Sequence, residues 1–175
     1  MASYWISLKD LPSAGKDYRV VEQAVWEDPI AEFNLPYTVT ESLQADTHIS
    51  PQDKGYLIQG DFRGTIQIPC DRCAEPSGLL LAAHFSIFEE SDPSLSEEDL
   101  LGPKFLNLEN NTWFLDLAGV LWEQFLLNLP FKHVCSEQCR GICPACGRNL
   151  NLGPCGCEAG EGDPRLAVFR SLKIE

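Results

Sequence analysis

The sequence predicts an α+β protein built on an antiparallel β-meander or partly closed barrel, with one packed helix and a cysteine-rich C-terminal segment ending in a short helix. Three observations predict it. Between residues 37 and 87 apolar and polar residues alternate with a period of two, the pattern of strands with one face in a core and the other in water. Residues 116–129 are apolar around most of a helical cylinder. Six of the eight cysteines fall between Cys135 and Cys157, in a stretch too polar and too rich in Gly to build a core of its own. The chain divides accordingly into an acidic β-rich domain, 1–130, that carries the helix, and a cysteine-rich metal-binding tail, 131–175.

Taken in order, residues 4–9 read as a short strand ended by Asp10-Leu11-Pro12, and a second extended piece lies near residues 18–25, with Pro29 and Pro36 punctuating the approach to the main sheet. From Tyr37 the residues Tyr37, Val39, Leu43, Ala45 and Ile49 share one face, with Glu41 as the misfit on it, and residues 51–55 turn the chain. Ile58, Gly60, Phe62, Gly64, Ile66, Ile68 and Cys70 then share the apolar face of the clearest strand, whose two glycines predict bending or a close approach by another backbone. After a turn at 74–78, Leu79, Leu81, Ala83, Phe85 and Ile87 alternate likewise. Residues 89–99 hold six acidic side chains with little to bury, an acidic loop that suits either a lure for a basic partner or a solubilising insertion.

A last hairpin pairs residues 104–108 with 112–115 around Glu109-Asn110-Asn111. Asp116 is the N-cap of a helix that runs to about Leu129 and stops at Pro130. Ala118, Leu121, Trp122, Phe125 and Leu129 form its apolar face, but Val120, Leu126 and Leu127 spread hydrophobicity further, so it packs on two sides or offers one to a partner. Asp163-Pro164-Arg165 opens the closing helix, with Leu166, Phe169 and Leu172 on one face.

The Cys143-Pro144-Ala145-Cys146-Gly147 turn aims two sulfurs at one point, and its Gly lets backbone N–H groups approach the thiolates. Zinc takes four such ligands in a tetrahedron at about 2.3 Å. Cys143 and Cys146 form one half of a site, and Cys155 and Cys157, returned by the turn-forming residues 149–154, form the other. Cys135 and Cys139 are rivals for the same ion, because three-residue spacing also lets two sulfurs converge. Cys70 and Cys73 have the spacing of half a site, with three fates: joining two thiols of the tail, completing a second four-thiolate site that uses all eight cysteines, or staying free. If they join the cluster, the tail folds back onto the sheet. Disulfides would need an oxidising compartment, and residues 1–5 do not resemble a signal peptide. An iron–sulfur cluster takes the same four thiolates. The rival function class is a redox protein or sensor working through Cys143 and Cys146, although no βαβ pattern leads into that pair.

The net charge of −13 is uneven: residues 1–130 carry 7 Lys+Arg against 21 Asp+Glu, residues 131–175 carry 6 against 5. Affinity for nucleic acid comes from cations on phosphates, so any RNA contact belongs to the tail, while the acidic body suits a basic protein. Lys132, Arg140, Arg148 and Arg165 are the candidate RNA contacts, although beside a four-thiolate zinc Arg140 and Arg148 serve equally to neutralise it. No apolar run approaches the ~20 residues of a membrane helix, and the expected place is the cytoplasm. His48, His84 and His133 are scattered, with His133 beside the cluster as a substitute ligand, and no Gly-rich phosphate loop occurs. The expectation is a protein that binds rather than catalyses and takes no small-molecule substrate.

Cys70-Asp71-Arg72-Cys73 after an alternating strand, the 116–130 helix ahead of the cysteines, Cys139-Arg140-Gly141-Ile142-Cys143-Pro144-Ala145-Cys146-Gly147, Cys155-Gly156-Cys157 and the closing Asp163-Pro164-Arg165-Leu166 together resemble the bacterial YceD-like family over roughly residues 35–175. Members are described as large-subunit ribosomal RNA accumulation proteins. The resemblance implies a ribosome biogenesis factor whose partner is a ribosomal protein or a large-subunit rRNA precursor.

Overall fold

The computed structural model describes residues 4–92 and 105–157. Its elements are β1 (Trp5–Ser7), β2 (Lys16–Val20), α1 (Ala24–Glu32), β3 (Thr38–Gln52), β4 (Gly55–Pro69), β5 (Pro76–Glu90), β6 (Leu106–Glu109), β7 (Thr112–Asp116) and α2 (Leu117–Leu127). The predicted period-two stretches become β3, β4 and β5, three antiparallel strands of 15 residues each joined as a meander. With β2 on the outer edge of β3 they form a four-stranded sheet in the order β2-β3-β4-β5, which stays open. The strands run further than the turn residues suggest: Pro51 and Gln52 pair with Tyr56 and Gly55, and Pro76 pairs with Pro69, so the β4–β5 turn is 70–75.

The misfit at Glu41 has a physical reason. The β3–β4 register shifts on both sides of it, so the side chain stays in water, where its carboxylate accepts the Thr65 hydroxyl at 2.6 Å. The shift leaves Leu43 without a ladder partner, and Gln23 supplies one: its side chain accepts from the Leu43 amide and donates to the Leu43 carbonyl, both at 2.9 Å. Gly60 and Gly64 mark the expected close approaches, since a Cβ would stand 2.7 Å from the Asp46 carbonyl oxygen and 2.9 Å from the Leu43 Cα respectively.

The sequence reading of residues 18–25 as one extended piece is corrected: β2 ends at Val20 and α1 begins at Ala24. Pro29 lies inside this helix rather than breaking the chain, and Val25, Trp26, Pro29 and Ile30 face the core together at helical spacing. The predicted last hairpin is β6–β7, turning on Asn110 and Asn111 at φ +47° and +60°. It belongs not to the main sheet but to a second one, β1-β7-β6, completed by the N-terminal strand.

Asp116 caps α2 by accepting from the Gly119 amide at 3.1 Å, and the helix ends two residues earlier than expected, with Asn128 as C-cap. Trp26, Leu43, Ile49, Ile58, Phe62, Ile66, Leu115, Leu121 and Phe125 are buried in one core shared by both sheets and both helices. The closing helix at 163 onward, Arg165 with it, and most of the acidic stretch (93–99) lie outside the described residues. No helix among the described residues is long and apolar enough to cross a membrane.

Candidate metal centre

The turn between β4 and β5 and the turn at 143–148 are one knuckle built twice. In the first, the Cys70 amide donates to the Glu75 carbonyl at 2.9 Å and the Ala74 amide returns to the Cys70 carbonyl at 2.8 Å. In the second, the Cys143 amide donates to the Arg148 carbonyl and the Gly147 amide to the Cys143 carbonyl, both at 2.8 Å. The residue after the second cysteine has positive φ in each, +61° at Ala74 and +73° at Gly147. An alanine there is strained by about 1–2 kcal/mol, more than the ~0.5–1 kcal/mol of extra unfolded-state freedom that glycine brings. Ala74→Gly is therefore expected to stabilise the protein by about 0.5–1 kcal/mol, read as a higher urea midpoint at unchanged slope.

Each knuckle gathers two further thiols. Cys70, Cys73, Cys135 and Cys139 converge in one tetrad, and Cys143, Cys146, Cys155 and Cys157 in another, all sulfurs of a tetrad lying within 4.8 Å of one another. The thiols favoured from sequence thus share a tetrad. Cys135 and Cys139 do not compete with them but meet Cys70 and Cys73, so all eight cysteines are used and the tail lies back on the sheet. In the first tetrad Cys70 Sγ is 3.8 Å from Cys139 Sγ, and Cys73 Sγ 3.7 Å from Cys135 Sγ. A tetrahedron with metal–sulfur bonds of about 2.3 Å has edges of about 3.8 Å, whereas a disulfide would bring sulfurs to about 2.05 Å. The spacing therefore suits a tetrahedral metal such as zinc.

The surroundings favour the thiolate at Cys70, Cys139 and Cys143 and the thiol at Cys73, Cys135 and Cys157. Backbone amides of Cys135 (3.3 Å) and Arg72 (3.4 Å) donate to Cys70 Sγ; led by the Cys135 amide, they lower its pKa to about 6. Cys143 is likewise lowered to about 6, first by the amide of Cys146 and then by that of Ala145. Cys139 is lowered chiefly by the Asn151 side-chain amide, 3.3 Å from its sulfur. Cys135, hydrogen-bonded to Cys139, and Cys157, hydrogen-bonded to Cys146, are pushed up to about 12. Metal-free, each tetrad at neutral pH thus mixes thiolates with thiols. The stabilisation from the Cys70 and Cys143 thiolates is present above the ordinary thiol pKa of 9.0 and is lost as pH falls through about 6. Zinc binding at pH 7 is expected to release protons, Cys135 and Cys157 among the donors, and to weaken steeply below pH 6. Calorimetry in buffers of different ionisation enthalpy checks both.

The tetrads are joined by residues that no cysteine pattern discloses. The Ile142 amide donates to the Arg72 carbonyl at 3.0 Å, and the Arg72 guanidinium donates to the carbonyls of Glu137 (3.0 Å) and Cys139 (3.2 Å). Asn151, on the loop between Cys146 and Cys155, accepts from the Arg140 amide at 2.8 Å while donating to Cys139 of the other tetrad. Asn151→Ala is expected to speed chelator extraction of metal from the Cys139 tetrad several-fold without changing the metal count, as stopped-flow with a chromogenic chelator would show. His133 stands outside both tetrads: its ring meets Ser77 Oγ at 2.7 Å and its amide donates to Asp71 at 2.6 Å. Arg148 turns to the Pro154 carbonyl at 3.4 Å.

Fold and site define an antiparallel β-sheet protein that carries paired four-cysteine knuckles at one end of its longest hairpin. The chain belongs to the YceD family: the family profile described as large ribosomal RNA subunit accumulation protein YceD matches residues 58–173, a span that contains every cysteine. Similar curated proteins include the chloroplastic large ribosomal RNA subunit accumulation protein YCED homolog 1 of Arabidopsis thaliana, 24% identical over 75% of this chain and 48% of the relative. Its Zea mays counterpart is 26% identical over 58% of this chain and 43% of the relative. An uncharacterised protein of Mycobacterium tuberculosis is 30% identical over 79% of this chain and 73% of the relative. The chain spans about half the length of the plant relatives it matches. No solved structure matches it.

Proposed function

We propose that the chain is a non-enzymatic factor in large-subunit ribosome assembly that supports accumulation of large-subunit rRNA, with a structural zinc ion in each tetrad. The family match over 58–173 carries the ribosomal part of this reading; the 3.7 and 3.8 Å sulfur spacings carry the zinc part. Zinc would be held by Cys70, Cys73, Cys135 and Cys139 and by Cys143, Cys146, Cys155 and Cys157. When bound it supplies a fixed four-way junction and no redox chemistry. On this reading the protein works in the cytoplasm, where thiols stay reduced.

Charge favours a basic protein over RNA as the direct partner. Two four-thiolate zinc centres add about −4 to the formal −13, so Arg140 and Arg148 face a negative tail rather than a neutral one. Cells depleted of the protein should lose large-subunit rRNA relative to small-subunit rRNA and regain it on re-expression. An unchanged ratio on depletion sinks the reading.

A further inference from the structure

The paired helices α1 and α2 carry an unusual outer surface. Phe33, at the end of α1 and 52% exposed, stacks on Trp122 of α2 with ring centroids 6.2 Å apart. Leu126 follows Trp122 by one helical turn and Leu127 stands next to it, about 100° further round the helix; they are 41% and 69% exposed. The chain then leaves the helix through Pro130 to Phe131, which is fully exposed and with Tyr37, Ile68 and Leu129 lines a groove of about 380 Å³. Monomeric proteins seldom leave so many large apolar side chains together in water unless something covers them.

The charge on the two helices is of one sign. Ala24–Glu32 contributes Glu27, Asp28 and Glu32, and Leu117–Leu127 contributes Glu123, while neither helix holds a Lys or an Arg. The nearest cation in sequence is Lys132, just past Phe131. An RNA would meet carboxylates here with little to bind its phosphates. A second copy would set carboxylates against carboxylates. A segment with apolar anchors flanked by Lys and Arg meets both features, its anchors on Phe33, Trp122, Leu127 and Phe131 and its cations on the carboxylates.

We propose that the α1–α2 face and the groove at Phe131 form the docking surface for an amphipathic, Lys/Arg-rich segment of a partner protein. For the partner's identity as a ribosomal protein this rests on the assembly-factor reading; the surface and the chemistry it accepts do not. The tetrads sit at the other end of the same short stretch, since the His133 amide bonds Asp71 of the first knuckle two residues after Phe131. A folded knuckle therefore fixes where the Phe131 lip of the groove lies.

The test uses the zinc-loaded full chain, offered the proteins stripped from purified large ribosomal subunits by concentrated salt and, separately, a large-subunit rRNA transcript. The expected result is capture of a protein with an excess of Lys and Arg. Once that protein is purified, its affinity falls at least tenfold for Leu127→Ser with Phe131→Ser and for Glu27→Lys with Glu123→Lys, and changes less than twofold for Leu80→Ser. Leu80 is 71% exposed on β5 and is the apolar control. Circular dichroism confirms that each variant is folded, and the charge-reversal pair stands in if the serine pair is not. The inference is overturned if no basic protein is captured, if neither pair weakens its binding, if only the transcript binds, or if the wild-type chain self-associates through these side chains. The two readings fail separately. If depletion leaves rRNA levels unchanged, the assembly reading falls whatever the binding shows. If depletion lowers them and the Leu127→Ser, Phe131→Ser chain restores them fully, the surface alone falls.

Discussion

Chelation of the loaded protein should release two zinc ions in sequence, first from Cys143, Cys146, Cys155 and Cys157 and then from Cys70, Cys73, Cys135 and Cys139. Three of the four thiols in the knuckle anchored to the sheet are buried, whereas Cys146 and Cys157 of the outer tetrad are exposed. The anchored knuckle also hangs from β4 and β5, while the outer one rests on it through the Ile142–Arg72 bond and Asn151. Loss should therefore be asymmetric. Cys155→Ser should leave one zinc per chain in native mass spectrometry, and Cys73→Ser should destabilise both centres, because segment 135–157 loses its anchor. Structural zinc is worth on the order of 10 kcal/mol in isolated knuckle-type peptides, enough to decide whether residues 135–157 fold at all. Thiol alkylation should be slow before chelation and fast after it, first at the outer tetrad. A Cys143–Cys146 pair that reacts freely in the reduced, loaded protein would favour the redox alternative.

Phe125→Ala is expected to cost about 3–5 kcal/mol, among the largest effects of single changes in the body. Phe125 is fully buried and stacks on Trp122 at 5.1 Å, at the layer where α2 meets α1. With total stability on the order of 5–15 kcal/mol, such a loss lowers the urea midpoint sharply. The zinc count should stay at two as long as the sheet that anchors the first knuckle remains folded.

The meander was legible because its strands are long and wet on one face, so that Leu43, Ala45 and Ile49 or Ile58, Phe62 and Ile66 announce the core by simple alternation. Even Glu41 was informative, since a charge on an apolar face marks the point where the ladder slips. Helix α1 was not legible as a helix, because Pro29 reads as a break and the helix is held from outside, by Gln23 on the Leu43 backbone. The second sheet was half legible: Asn110-Asn111 announces a hairpin, but nothing local says that Trp5–Ser7 will close it. Among the cysteines, the Cys143, Cys146, Cys155, Cys157 set could be read because its members are near neighbours in the chain. The partition of the remaining four could not, because Cys73 and Cys135 are 62 residues apart, although the shared C-x-x-C spacing of the two knuckles was its one sequence trace. Arg72 and Asn151 carry no such trace.

That separation has a consequence for how the protein is made. Ribosomes synthesise chains from the N-terminus at ~5–20 residues per second, so about 3–12 s pass between the appearance of Cys73 and that of Cys135. Throughout that interval the first half-knuckle waits at the end of its hairpin while β5, β6, β7 and α2 are still being laid down. Closure of the anchored centre therefore waits for a chain translated past residue 139, and a product that ends between Cys73 and Cys135 keeps Cys70 and Cys73 without the two thiols that complete their tetrad.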